Sequence, residues 1–283
     1  MTRPPRDEPA EGWALLGGRR ARGVVDHVDL VTQADRVTEG FWAVVADFEG
    51  PVRAWRFAEI EPHPGPATGG PWRGPRAGEW ATSLDRAAYL HGVAAVRDAI
   101  REGDVYQVNL CRVLDAPLAV EHGEPDAAEN VMIADMVRND LQRVCRPGTV
   151  EVTGLLKVEA HPGLVHLVTT VRGMLLDTSW PQVLAATFPP ASVSGAPKHA
   201  ALGLIDHLEP VPRGPYCGAV GWLDADAGRA ELAVGIRTFW WTPDGGGRLH
   251  FGTGAGITWD SDPAAEWAET ELKARRLVGL ASG

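Results

Sequence analysis

Glu266, Glu269 and Lys273 fall at i, i+3 and i+7 behind a Ser261-Asp262-Pro263 start signal, so a helix from about Pro263 to Leu280 turns all three to one face. Two carboxylates one turn apart suit a hard divalent cation, and Mg2+ takes one or two of them together with ligand oxygens and water. An ammonium one turn further on meets an anion held by the same metal. The plainer alternative is a solvated helix face carrying a Glu269–Lys273 ion pair. Just upstream, Gly252-Thr253-Gly254-Ala255-Gly256 sets glycine at every second position near a strand end, where a carboxylate or phosphate can approach backbone N–H groups. A twisted strand end or a bulge explains the same glycines. Ser192 to Lys198 reads as a small-residue turn into a helix N-terminus, a place that favours an anion or simply a cap.

Three further residues stand out, each with a structural alternative. Glu129 sits in the first turn of an expected helix, where the dipole favours a carboxylate without any functional reason. His166 lies in an alternating strand, as a hydrogen-bonded core residue or as an acid or base. Arg237 interrupts an apolar strand and needs a carboxylate partner, internal or from a ligand. No Ser-His-Asp or Cys-His pattern and no phosphate loop accompanies them. Several anion receivers beside several carboxylates point to a small polyanionic substrate chelated by Mg2+.

The elements that must position these groups read as follows. Strands are expected at Trp13–Leu16, Phe41–Phe48 and Val52–Phe57, the last two joined through Glu49-Gly50. Ten of the seventeen positions from Pro62 to Gly78 are Pro or Gly, so that stretch is a loop. A helix from about Ser83, its N-cap, to Arg101 follows, then a strand at Val105–Leu110 and a second helix at about Ala127–Val144. Strands at Val150–Val152, His166–Val171, Tyr216–Leu223, Ala230–Trp241 and Leu249–Thr258 surround a helix at about Pro197–Leu208. Strands in runs with inserted helices predict an α+β fold of antiparallel sheets packed with helices. The length, 283 residues, gives about two domains as a prior, but the early strands are too few to close a core alone, so a single domain is expected. A formal charge of −10 argues against a nucleic-acid surface, and no apolar run approaches the roughly 20 residues of a membrane span. The expected location is cytoplasmic, with Cys111, Cys145 and Cys217 as reduced, mostly buried thiols.

Six strings resemble, in order, those of the chorismate-utilising enzymes: Gly103–Leu110 (Gly-Asp-Val-Tyr-Gln-Val-Asn-Leu), Glu129–Leu141 (opening Glu-Asn-Val-Met-Ile), His166–Val168, Ser194–Lys198 (Ser-Gly-Ala-Pro-Lys), Gly235–Thr238 and Gly254–Ile257. The Tyr-Gln-Val-Asn-Leu string is similar to the ammonia-using branch, aminodeoxychorismate synthase component I and anthranilate synthase component I. The resemblance covers roughly residues 79–277, following the N-terminal strands (1–60) and the Pro/Gly-rich loop (62–78). It implies a chorismate-binding α+β fold and Mg2+ held by Glu129 and Glu269, with Glu266 nearby or acting through water. Gly254, Ala255, Gly256 and Lys273 would anchor carboxylates, Tyr216 and Arg237 would receive the enolpyruvyl carboxylate, His166 would stand beside the ring and Ser194 would supply a hydroxyl. The implied reaction is chorismate plus ammonia to 4-amino-4-deoxychorismate, for folate synthesis, with ammonia from a glutamine amidotransferase subunit. Anthranilate synthesis and ligand binding without turnover are the alternatives. One departure is marked: family members carry a long segment with Ser-Pro-Glu and Pro-Ile-Lys-Gly-Thr (or Pro-Ile-Ala-Gly-Thr) motifs between the Gln-Val-Asn-Leu strand and the Glu-Asn helix, where this chain has only Cys111 to Ala128. The motifs supply a general acid and, through the lysine, a nucleophile in that family, and one sheet is expected to be incomplete without them.

Overall fold

Residues 10–63, 72–118, 141–161, 164–176 and 179–282 are described by a computed structural model. Four strands come first, β1 (Ala10–Leu16), β2 (Arg19–Asp29), β3 (Phe41–Ala46) and β4 (Val52–Pro62). Then follow β5 (Ala81–Thr82), α1 (Arg86–Glu102), β6 (Gln107–Pro117), β7 (Glu151–His161) and β8 (Leu164–Arg172). The rest runs α2 (Trp180–Thr187), α3 (Ala191–Ser194), β9 (Gly195–Ala196), α4 (Lys198–Leu208), β10 (Ala219–Asp224), β11 (Arg229–Val234), β12 (Phe239–Thr242), β13 (Arg248–Ile257) and α5 (Pro263–Ala281).

These strands form two main antiparallel sheets. The first has the order β1-β2-β4-β3-β10-β11, so the N-terminal hairpins share a sheet with residues from the last third of the chain, Ala219 pairing Ala46. The second has the order β12-β13-β6-β5, with β9 also on β6. A separate ladder joins β7 to β8. Apolar residues of α1 (Tyr89, Val93, Val96), α4 (Ala201, Ile205), β6 (Val108, Leu110) and β13 (Ala255, Ile257) build the largest core cluster, on the second sheet. Val28, Trp42, Val44 and Val52 of the first sheet pack with Leu184 of α2.

Several expected boundaries move, each for a physical reason. Asp85, not Ser83, caps α1, accepting from Ala88 N at 2.8 Å; the Ser83 hydroxyl instead accepts from Val113 N of β6 at 3.0 Å. Gly103 closes α1 in the left-handed conformation, φ 86°, as a C-cap glycine does. β6 starts two residues later than expected and runs to Pro117, because Ala81, Thr82 and then β13 give its later residues partners that the sequence pattern does not show. β10 starts at Ala219 because Tyr216–Gly218 form a turn, with Cys217 at φ 61°. The expected strand Ala230–Trp241 is two strands, broken where Arg237 adopts φ 54°. Charge-rich β2 and short α2 and α3 are additional elements. Most of the expected helix at about Ala127–Val144, including Glu129, lies outside the described residues.

Candidate anion-receiving site

Asp262 caps α5 by accepting from Ala265 N at 2.8 Å, with Pro263 in the first turn, so the helix starts where its sequence signals place it. Thr270 and Ala274 are its buried face. Arg112, 2% exposed on β6, anchors that face: its guanidinium donates to Thr270 Oγ1 and Thr82 Oγ1 (both 3.1 Å), pairs with Glu271, and lies 4.1 Å from the Trp267 ring centroid. Thr253 Oγ1 of β13 donates to Thr270 O at 3.0 Å. The helix is thereby fixed against the second sheet with Lys273 over β13. Lys273 Nζ donates to Gly254 O at 2.8 Å and pairs with Glu269 Oε1 at 2.6 Å.

The direction of the backbone at Gly254 follows from its neighbours. In β6, Cys111 N donates to Glu209 Oε1 at 2.8 Å and Asn109 O accepts from Arg213 Nη2 at 2.6 Å, so these residues turn their polar groups away from β13. Their register partners are Gly254 and Gly256. Each is a non-hydrogen-bonded pair, in which both residues turn N–H and C=O outward. β12 pairs β13 only as far as Phe239 opposite Phe251, so the outward edge at Gly254 and Gly256 has no strand partner among the described residues. Two N–H groups and the Lys273 ammonium share that edge, an arrangement suited to a carboxylate.

The alternating glycines themselves answer to packing. A Cβ on Gly252 would lie 2.0 Å from Tyr216 Cγ, and one on Gly254 would lie 2.6 Å from Cys111 Sγ. A Cβ on exposed Gly256 would lie 2.9 Å from the amide nitrogen of Gln107, the end of a flexible side chain. The faces of Gly252 and Gly254 are therefore filled, and the approach to this strand is along its edge.

Tyr216 is buried, with its hydroxyl 3.9 Å from Cys111 Sγ, and burial pushes its phenol well above the ordinary range. Its turn is bonded to the Arg237 segment: Cys217 N donates to Gly235 O and Gly235 N to Gly218 O, both 2.9 Å. The left-handed, half-buried Arg237 has no hydrogen-bond, ionic or ring partner among the described residues. Cys217 and Arg237 are the two non-glycine residues with positive φ among the described ones, and they lie in the two segments joined here. Such backbone strain concentrates where a side chain must be held for a ligand.

Ser194 is fully buried and its hydroxyl donates to Pro190 O at 3.0 Å. Gly195, φ 147°, packs so closely on Gln107 O that a Cβ would stand 2.2 Å away. The small residues of this turn thus admit β9 to the edge of β6. Glu266 and Glu269 stand one turn apart on α5; burial, then nearby charges including Glu266, push the Tyr89 phenol up. Among the described residues no group of three or more His, Cys, Asp or Glu is placed to hold a metal. His166 lies on β8 opposite Glu159, its side chain outside what is described. The three cysteines are buried and free.

Sequence reasoning missed the groups that organise the site. Arg213 is fully buried and donates through Nε and Nη2 to Glu209 (2.8 and 2.6 Å) and through Nη1 to Val193 O (2.6 Å). Glu209 and Arg213 are four residues apart, but Glu209 ends α4 and a Pro-Val-Pro stretch intervenes, so helix spacing gives no signal for the pair. Burial pushes the Glu209 carboxyl up, while Arg213 and the Cys111 amide oppose it.

The structure is an antiparallel two-sheet scaffold in which a cationic strand edge lies beside a carboxylate-bearing helix. Residues 58–125 and 121–279 match the family described as chorismate binding enzyme, and the chain belongs to that family. It is 45% identical over 165 residues to anthranilate synthase component 1 of Saccharolobus solfataricus, a match covering 58% of this chain and 38% of that protein. It is 42% identical over 154 residues to aminodeoxychorismate synthase component 1 of Salmonella typhimurium, covering 54% and 33%. These matches span well under half the length of either relative. The crystal structure of anthranilate synthase component I from Streptococcus pneumoniae superposes with a TM-score of 0.70 at 20% identity, covering 98% of this chain and 93% of that one, so the fold is shared. No helix among the described residues is long and apolar enough to cross a membrane.

Proposed function

We propose that this chain acts on chorismate as an aminodeoxychorismate synthase component I type enzyme, joining it with ammonia to give 4-amino-4-deoxychorismate. The observation that carries the reading is the edge of β13 at Gly254 and Gly256, which has no strand partner among the described residues and where their outward N–H groups lie beside the Lys273 ammonium. That edge suits one carboxylate, and Arg237, without a partner among the described residues and with Tyr216 on the adjoining turn, suits a second. Chorismate carries two. Mg2+ would be held by Glu129 and Glu269, with Glu266 direct or through water, and when bound would supply Lewis acidity toward the ring carboxylate. His166 is the acid or base proposed beside the ring, and Ser194 enters through the turn it shapes. A glutamine amidotransferase subunit is the proposed source of ammonia, and the cytoplasm the proposed location.

Two other readings each have an observation behind them. The identities of 45% and 42% stand close together, which keeps anthranilate as a product. The chain lacks the Ser-Pro-Glu and Pro-Ile-Lys-Gly-Thr strings, which supports binding without turnover. Incubation with chorismate, Mg2+ and ammonium, followed by mass spectrometry, separates them. Aminodeoxychorismate is the expected product; anthranilate selects the second reading. Unchanged chorismate that still binds by calorimetry selects the third, and absence of binding by folded protein overturns all three.

A further inference from the structure

We propose that Arg213, held by Glu209, is a positioning residue that couples the β13 edge to the Arg237 segment; this rests on the function just proposed. On the side of β6 away from β13, β9 pairs only Gln107 and Val108, and β5 pairs only Leu114 and Asp115. Between them, residues 109–112 have no strand partner on that side among the described residues. The ion pair fills part of that gap as a strand would: Glu209 Oε1 accepts from Cys111 N (2.8 Å) and Arg213 Nη2 donates to Asn109 O (2.6 Å). It thus grips the two β6 residues that face Gly254 and Gly256. The same guanidinium reaches Val193 O, next to Ser194, at 2.6 Å and lies 4.3 Å from the Phe48 ring centroid.

The backbone of Arg213 continues the link. Arg213 N donates to Glu49 Oε1 at 2.6 Å and Gly214 N to Glu49 Oε2 at 3.2 Å. Tyr216 N then donates to Arg213 O at 3.3 Å, starting the turn whose Cys217 N holds Gly235 O. An apolar pair of similar volume would leave the Cys111 N–H and the Asn109 carbonyl without these partners, whereas the ion pair satisfies both while bonding Val193 O and stacking on Phe48. Its geometry fixes where the turn at 213–218, and through it Arg237, stands relative to β6.

The test is a double-mutant cycle on chorismate binding, by calorimetry, between Arg213→Lys and Arg237→Ala. Lysine keeps the charge beside Glu209 and gives up the forked reach to Val193 O and Asn109 O. Each single change is expected to weaken binding by at least about tenfold, and the double variant to be no weaker than Arg237→Ala within about threefold. Additive losses, or an unaltered affinity in Arg213→Lys, overturn the inference. Should Arg213→Lys not unfold cooperatively, Glu209→Leu/Arg213→Met, which removes both charges together, takes its place in the cycle. If the unaltered chain does not bind chorismate, the functional reading fails while amide exchange still decides the positioning. Protection at Cys217 and Gly235 is then expected to fall at least about tenfold in the variant with β3 and β4 unchanged, and retained protection at both overturns it.

Discussion

Lys273 is the residue in which the two alternatives read from its spacing meet. The structure contains the ordinary i, i+4 ion pair with Glu269, and the same ammonium also reaches Gly254 O on a strand edge that has no strand partner among the described residues. An exposed pair of this kind stabilises by only a few tenths of a kcal/mol, so it yields readily to a ligand that offers more. Replacing Glu269 with Gln, or Glu129 with Gln, is expected to raise the Mg2+ concentration needed for half-maximal chorismate binding, and a metal titration at fixed chorismate reads it. An unchanged midpoint in both variants would return α5 to the solvated-face interpretation. Gly252 tests the packing account of the alternating glycines. A methyl group there meets the Tyr216 ring at 2.0 Å, so Gly252→Ala is expected to destabilise by about 1–3 kcal/mol in denaturant unfolding. A neutral effect would show that the ring moves aside freely.

At the scale of elements, β12, β13 and β6 carry a titrating device at the end remote from Gly254. Thr242 Oγ1 lies 3.0 Å from His250 Nε2, and Trp240 stacks on the imidazole at 5.2 Å. Burial holds the His250 pKa below its usual value, with Arg248 acting the same way and Asp115 and Asp244 opposing. The folded chain therefore binds this proton less readily than the unfolded chain. His250 stability is complete above the unfolded pKa, about 6.5, and is lost as pH falls through that value toward the lower folded one. Thermal unfolding from about pH 7.5 to about pH 5 is expected to show a fall in Tm that is smaller in His250→Asn. Equal falls in both proteins would assign the acid sensitivity to other groups.

The whole molecule is joined at Arg213, where the β3–β4 turn of the first sheet (Phe48, Glu49) meets β6 of the second and the end of α4. Arg213→Met alone leaves Glu209 buried without its partner and is expected to cost about 3–5 kcal/mol, whereas Glu209→Leu/Arg213→Met is expected to cost far less. Comparable losses in urea unfolding would mean that the guanidinium's bonds to Val193 O and Asn109 O, not charge pairing, dominate. The sequence by itself determined the α+β class, the cap of α5 and the hairpin at Glu49-Gly50, because period, capping and turn chemistry act over a few neighbouring residues, and its six ordered strings carried the resemblance to the family. It also marked Arg237 as a cation in need of a partner. Only the tertiary structure decided that Asp85 caps α1 while Ser83 serves β6, that the glycines of β13 make room for Tyr216 and Cys111, and that Arg213 and Glu209 stand in for a strand. Each of those depends on which distant segment arrives at a strand edge, and the side chains that complete an edge carry no period of their own.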